Sequence, residues 1–187
     1  MRIFIALILV LGTSAFAGKK IVSVKGENQG VVSMKGRVEA LATNWVIGCY
    51  KVVFEDGVPA YVASGKDVEL EAKITETEFS YEVDISKKGF CQFKPSILTL
   101  NISTIGEGRT FYNVAFTDKK LPADDNAFTH IYLRDVEAFD CIEKGRFAAL
   151  DCTVVMKDGR RLDRNGLGMY IDTKKDKEPI SFNFLVH

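Results

Sequence analysis

The chain has 187 residues, 47% of them hydrophobic, with 25 basic and 25 acidic side chains. That balance excludes attraction to nucleic acid or an anionic membrane by bulk charge, which needs a surplus of Lys and Arg. After the first residues, no apolar stretch approaches the ~20 residues of a bilayer span, so no membrane span is expected.

Met1-Arg2 gives a short positive start, Ile3 to Leu11 is an apolar run, and Ala15-Phe16-Ala17 has the A-x-A form of a cleavage site. This pattern predicts a secretory signal peptide over residues 1–17, because the run is too short to cross a bilayer. Export would place the mature protein, beginning at Gly18, in the periplasm or outside the cell. Its 170 residues would form a single domain at 18–187, which should bury roughly 70% of the surface its unfolded chain exposes. Arg2 leaves with the leader, so the mature net charge is −1.

Val22-Ser23-Val24-Lys25-Gly26 is echoed by Val32-Ser33-Met34-Lys35-Gly36 across a Gly/Asn/Gln turn, which suggests a small hairpin. Trp45 to Phe54 is apolar on both faces and is expected to be a central strand between two layers. Glu55-Asp56-Gly57 then turns into Val58 to Ala63, which Pro59 pushes toward an edge. Period-two alternation is clearest in Val68, Leu70, Ala72 and Ile74, and again in Phe79, Tyr81, Val83 and Ile85. Each of these segments has an apolar face and a charged one.

Further strands are expected over Ile97–Ser103, Thr110–Thr117 and Phe128–Arg134. Pro122 to Asn126 suits one turn of helix, and Val136 to Leu150 is ambiguous between helix and strand. Ala148, Leu150, Cys152, Val154 and Met156 share one face, and Lys157-Asp158-Gly159-Arg160 carries an Asp-Gly hairpin signal. The last strand puts Ile180, Phe182, Phe184 and Val186 on one face.

The cysteines are Cys49, Cys91, Cys141 and Cys152. An even number behind a signal peptide predicts two disulfides. Metal ligation would need tight pairs or neighbouring histidines, and only His130 and His187 exist. Three connectivities are possible, and chain order suggests Cys49–Cys91 with Cys141–Cys152. On the chain-entropy model these would contribute about 4 and about 3 kcal/mol. If residues 143–146 form a tight turn, Cys141 falls opposite Ala148, and a crossed pairing becomes an alternative.

Many short strands with Gly and Asp turns and almost no helix indicate an all-β fold, an antiparallel β-sandwich held by two disulfides. The spacing is immunoglobulin-like in a loose sense, with an inter-sheet bridge from Cys49. However, Trp45 precedes Cys49, so the Cys–Trp–Cys order of that fold is absent.

Candidate chemistry is sparse, and no cofactor or metal site is expected. His130, pointing with Phe128 and Tyr132, reads as an ordinary strand histidine, and no G-x-S-x-G stretch offers a nucleophile. Glu69, Glu71, Glu82 and Asp84 on one face would serve a paired-carboxylate hydrolase or simply a wet sheet surface. Asp124-Asp125-Asn126 and Asp118 gather oxygens without the spaced calcium pattern. Lys157, Arg160, Arg161 and Arg164 form the most distinctive charged feature. Their forked donors suit a carboxylate, sulfate or anionic glycan, although Asp158 and Asp163 dilute the field.

The function expected from these features is an exported, non-catalytic binding domain for a protein or glycan partner. Nucleic acid is not expected, since no aromatic platform interleaves the basic residues. The rival expectations are a hydrolase of carbohydrate or peptide and a strand-exchanging envelope subunit using Ile180–Val186.

Overall fold

Strand-forming alternation dominates the chain, and the strands it produces stack as two sheets. The computed structural model describes residues 20–121, 123–124, 128–143, 150–176 and 178–187. The expected signal peptide, most of the Pro122–Asn126 turn, and Ala148 lie outside them.

β1 (Ile21–Gln29) belongs to the first sheet and β2 (Val31–Leu41) to the second, with the corner at Gly30. There the buried Asn28 side chain replaces ladder bonds. Its amide nitrogen donates to the carbonyls of Val31 and Thr75, and its oxygen accepts from the Val31 N–H. Among the described residues, β3 (Tyr50–Glu55) and β4 (Val58–Ala63) pair only with each other. β5 (Gly65–Glu71) then edges the second sheet beside β2, and β6 (Lys73–Ile74) edges the first beside β7 (Glu78–Asp84).

β8 (Lys94–Thr104) and β9 (Arg109–Thr117) extend the second sheet. β10 (Thr129–Tyr132) is its far edge, and a 3₁₀ turn at Leu133–Asp135 leads back to the first sheet. There β11 (Val136–Glu143), β12 (Leu150–Met156) and β13 (Arg161–Asp163) run antiparallel. β14 (Leu167–Asp172) slots between β9 and β10, parallel to both. Finally β15 (Ile180–Ser181) and β16 (Asn183–Val186) pair parallel with β1, and β16 also pairs parallel with β11.

The core lies between the sheets. Phe139, Phe182 and Phe184 are almost wholly buried in the first sheet, and Tyr112 of β9 reaches them from the second. The Tyr112 ring centroid is 4.5 Å from that of Phe139, and Phe139 stacks on Phe184 at 5.0 Å. Phe79 of β7 closes the group at 5.4 Å from Phe182 and 5.5 Å from Phe184. Such rings bury large apolar areas per residue, so this cluster contributes heavily to the larger apolar core between the sheets.

Several expectations change here. β1 and β2 form no hairpin, because they belong to different sheets. The echoed glycines do share a purpose. A Cβ on Gly26 would lie 1.5 Å from the Phe182 carbonyl oxygen, and one on Gly36 would lie 2.7 Å from the Leu70 side chain. Trp45–Phe54 is not a central strand: Trp45 is 79% exposed and Phe54 73% exposed. The alternating run from Val68 to Ile74 is divided at Ala72 between two sheet edges. Phe128–Arg134 ends as a strand at Tyr132, and Val136–Glu143 resolves as strand.

Both disulfides follow chain order. Cys141 and Cys152 are direct cross-strand partners, with Glu143 opposite Leu150, so the register that would force a crossed pairing is not adopted. Cys49–Cys91 is not an inter-sheet bridge; it joins the base of the β3–β4 hairpin to the loop before β8.

A buried charge cluster fixes the turn after β14. The Arg134 guanidinium lies 2.7 Å from Asp176, 3.7 Å from Asp172 and 4.2 Å from the Tyr132 ring centroid. Burial would raise the Asp172 carboxyl, but the N–H groups of Lys174 and Lys175, with Arg134, hold it below its usual range.

Two outcomes follow from this packing. Gly26→Ala should lower unfolding free energy in urea titration by more than about 2 kcal/mol, because backbone and not a flexible side chain blocks the methyl. Gly65→Ala, whose nearest neighbour would be 3.6 Å away, should change it little. The second concerns Asp84, which burial alone would raise. Donors from the hydroxyl and N–H of Ser86, together with Lys88, outweigh that and hold the carboxyl at about 2. A depressed folded-state value stabilises above the unfolded value, near 3.8, and the gain is lost as pH falls toward about 2. The difference in unfolding free energy between wild type and Asp84→Asn should therefore be roughly 2 kcal/mol near neutrality and shrink below about pH 4.

Candidate functional site

The segment from Trp45 to Ala63 collects large apolar side chains that the core does not use. In the β3–β4 hairpin, Val52 pairs with Tyr61 and Phe54 with Pro59, so these four share one face with Tyr50. Trp45 extends that face by stacking on Tyr50 at 4.2 Å. Lys51 pairs with Val62, Val53 with Ala60, and Glu55 with Val58 on the other face. Val52, Phe54, Val58, Tyr61 and Val62 are all exposed. Apolar residues thus project to both sides of a two-stranded element that, among the described residues, pairs with neither sheet.

Local chemistry explains why the hairpin forms. Asp56 and Gly57 both have positive φ, 51° and 81°, which is the two-residue turn whose twist matches paired strands. An isolated two-stranded hairpin is marginal in water, so its base must be held. The Cys49–Cys91 disulfide does this, helped by hydrogen bonds. Ser64 N–H donates to the Cys49 carbonyl, and Thr43 and Asn44 N–H groups donate to the Cys91 carbonyl. The Asn44 amide nitrogen donates to the Phe90 carbonyl and the Thr43 hydroxyl to that of Gln92.

The basic residues singled out in the sequence are engaged with the protein itself. Lys157 donates to the Arg134 carbonyl at 2.6 Å, and Arg160 pairs with Asp158 at 2.8 Å. Arg161 pairs with Asp140 at 2.5 Å. Arg164 turns toward the other sheet, donating to Thr110 Oγ1 and lying 5.0 Å from the Phe111 ring centroid. Only Lys157 and Arg160 sit near the hairpin tip, so the four guanidinium and ammonium groups do not form one cradle.

Comparison with protein-family models, curated proteins and solved structures returns no match. The site therefore has to be read from its own chemistry.

Of the acidic candidates, Glu69 comes from β5 and Glu82 and Asp84 from β7, and all three border one cleft between the sheet edges. A general acid needs a raised carboxyl, whereas Asp84 moves the other way, down to about 2. His130 Nδ1 lies 3.2 Å from the Tyr170 hydroxyl, and the His130 backbone N–H donates to Asp124 Oδ1 at 2.8 Å. Asp118 pairs with Lys94 at 3.6 Å. Among the described residues, no group of His, Cys, Asp and Glu could hold a metal ion. Asp125 and Asn126 lie outside those residues.

Sequence reasoning found the turn and both strands but missed the exposure of the hairpin, because an apolar strand normally means a buried one. The available signal was the combination of Asp-Gly turn, Pro59 and flanking Cys49, which together isolate a short hairpin from any further strand. Breaking the bridge with Cys49→Ser and Cys91→Ser should speed proteolytic cleavage within residues 46–64 by about an order of magnitude relative to cleavage in β8 and β9. Equal acceleration at all sites, read by mass spectrometry, would mean that the bridge supports the whole sandwich instead.

Proposed function

We propose that this chain is an exported, non-catalytic binding domain that grips a protein partner with the β3–β4 hairpin. The observation that carries the reading is the apolar surface on both faces of an element paired to nothing else. Exposed apolar clusters of this kind mark interaction sites. A glycan or a flat bilayer would cover one face only, while a groove in a folded protein covers both. Glu55 and Asp56 at the tip count against tip-first insertion into lipid and favour a groove with a basic rim.

Export to the periplasm, envelope or extracellular space supports the same reading. Two disulfides suit an oxidising compartment, and Met1–Ala17 has the pattern of a leader. Strand exchange gains no such support, because Phe182 and Phe184 of the C-terminal segment fill the chain's own core. Truncating that segment would gut the domain before it tested assembly.

A photo-cross-linker placed at Tyr61 should capture one discrete protein in the native compartment. With that protein identified and purified, Phe54→Glu should weaken its binding at least about tenfold, the value of losing one buried aromatic contact. Phe54 is largely exposed, so the variant's melting temperature should not fall. Adducts with lipid or glycan alone, or equal affinity of variant and wild type, would overturn the reading.

A further inference from the structure

The second unsatisfied apolar surface is concave. Where β5 edges the second sheet and β7 runs past the short edge strand β6 of the first, a cleft of about 320 Å³ opens between them, within the lower range of small-ligand sites. Val38, Ala40, Val68, Leu70, Val83 and Phe93 line it. Val68 is 45% exposed although its cross-strand partner Val38 is buried, so the apolar wall continues out to solvent.

Neither strand edge is covered on this side. Among the described residues, β5 has β2 as its only paired neighbour, and β6 covers β7 only at Ser80 and Phe79. Asp67, Glu69 and Glu71 run along β5, and a charged edge of that kind resists addition of another strand. That leaves the cleft, and not the backbone ladder, as the binding feature.

The charge at the mouth is specific. Lys88 is paired with Asp84 at 3.0 Å, and Glu69 and Glu82, which also border the cleft, lie on the strand faces opposite to Val68 and Val83. Lys66 stands opposite the buried Ala40, on the same strand face as Val68 and Leu70, and borders the cleft. Among the described residues, no carboxylate lies within ion-pair distance of its ammonium. An unpaired cation on the apolar wall of the cleft complements an anionic head carried on a hydrocarbon tail.

We infer that the cleft binds a fatty-acid-type ligand, with the tail between β5 and β7 and the carboxylate at Lys66. This site is separate from the hairpin and does not depend on the partner proposed for it. The tail supplies the affinity, since each buried methylene contributes about 0.8 kcal/mol.

The test titrates the mature protein with octanoate, laurate and lauryl alcohol, following valine and leucine methyl resonances. Laurate should shift Val38, Val68, Leu70 and Val83 saturably and bind at least about tenfold more tightly than octanoate. Lys66→Gln should weaken laurate severalfold while leaving lauryl alcohol unchanged. Val68→Glu, at a position exposed enough to be tolerated, should abolish laurate binding without changing the melting temperature. No saturable shift, shifts confined to Val52, Val58 and Val62 of the hairpin, or laurate affinity indifferent to both substitutions would overturn the assignment.

Discussion

The fold depends on one close approach, the Phe182 carbonyl seated where a side chain of residue 26 would be. That seat lets the C-terminal segment lie parallel to β1 through β15 and β16 and, through β16, parallel to β11. β1 and β11 share no ladder of their own; β16 is the strand that joins them. The same segment delivers Phe182 and Phe184 to the aromatic cluster that Tyr112 enters from the opposite sheet. The last residues of the chain therefore complete both the hydrogen-bonded sheet and its packing. Loss of the glycine removes two contributions at once, and the parallel pairing makes them inseparable.

The two disulfides divide the remaining work. Cys141–Cys152 links cross-strand partners inside the first sheet, where the ladder already fixes their separation. Cys49–Cys91 holds an element that has almost no packing of its own. A bridge adds most where the local fold contributes least, so the second one carries the structural consequence for the exposed hairpin.

Much of the fold was legible because a wet-faced strand writes its burial into alternate residues. β7 shows this plainly, with Phe79, Tyr81 and Val83 buried between polar neighbours. Disulfide pairing and the Asp-Gly turns at residues 56–57 and 158–159 were legible for similarly local reasons. Sheet membership was not. The corner at Gly30 sends two look-alike segments to different sheets, and Ala72 does the same for a single alternating run. Nothing within either segment encodes which distant strand it meets. The exposure of the hairpin was illegible for a deeper reason. A strand apolar on both faces is consistent with burial by this chain or by another molecule, and periodicity does not distinguish the two. The basic residues misled in the opposite direction: Arg161 and Arg164 look available in sequence, yet they meet Asp140 and the Phe111–Tyr112 rings from other strands.

The hairpin and the cleft share one piece of architecture. Lys88 and Phe93 exchange backbone hydrogen bonds, closing a short loop that carries Cys91 between them. Cys91 anchors the base of the hairpin, and Phe93 and Lys88 border the cleft. β4 also passes into β5 through Ser64 alone, whose N–H is held by the Cys49 carbonyl. Any displacement of the hairpin base must therefore act on a loop and a strand that form two walls of the cleft. Through Cys91 and Ser64 the base of the hairpin is thus tied directly to the loop and the strand that bound the cleft.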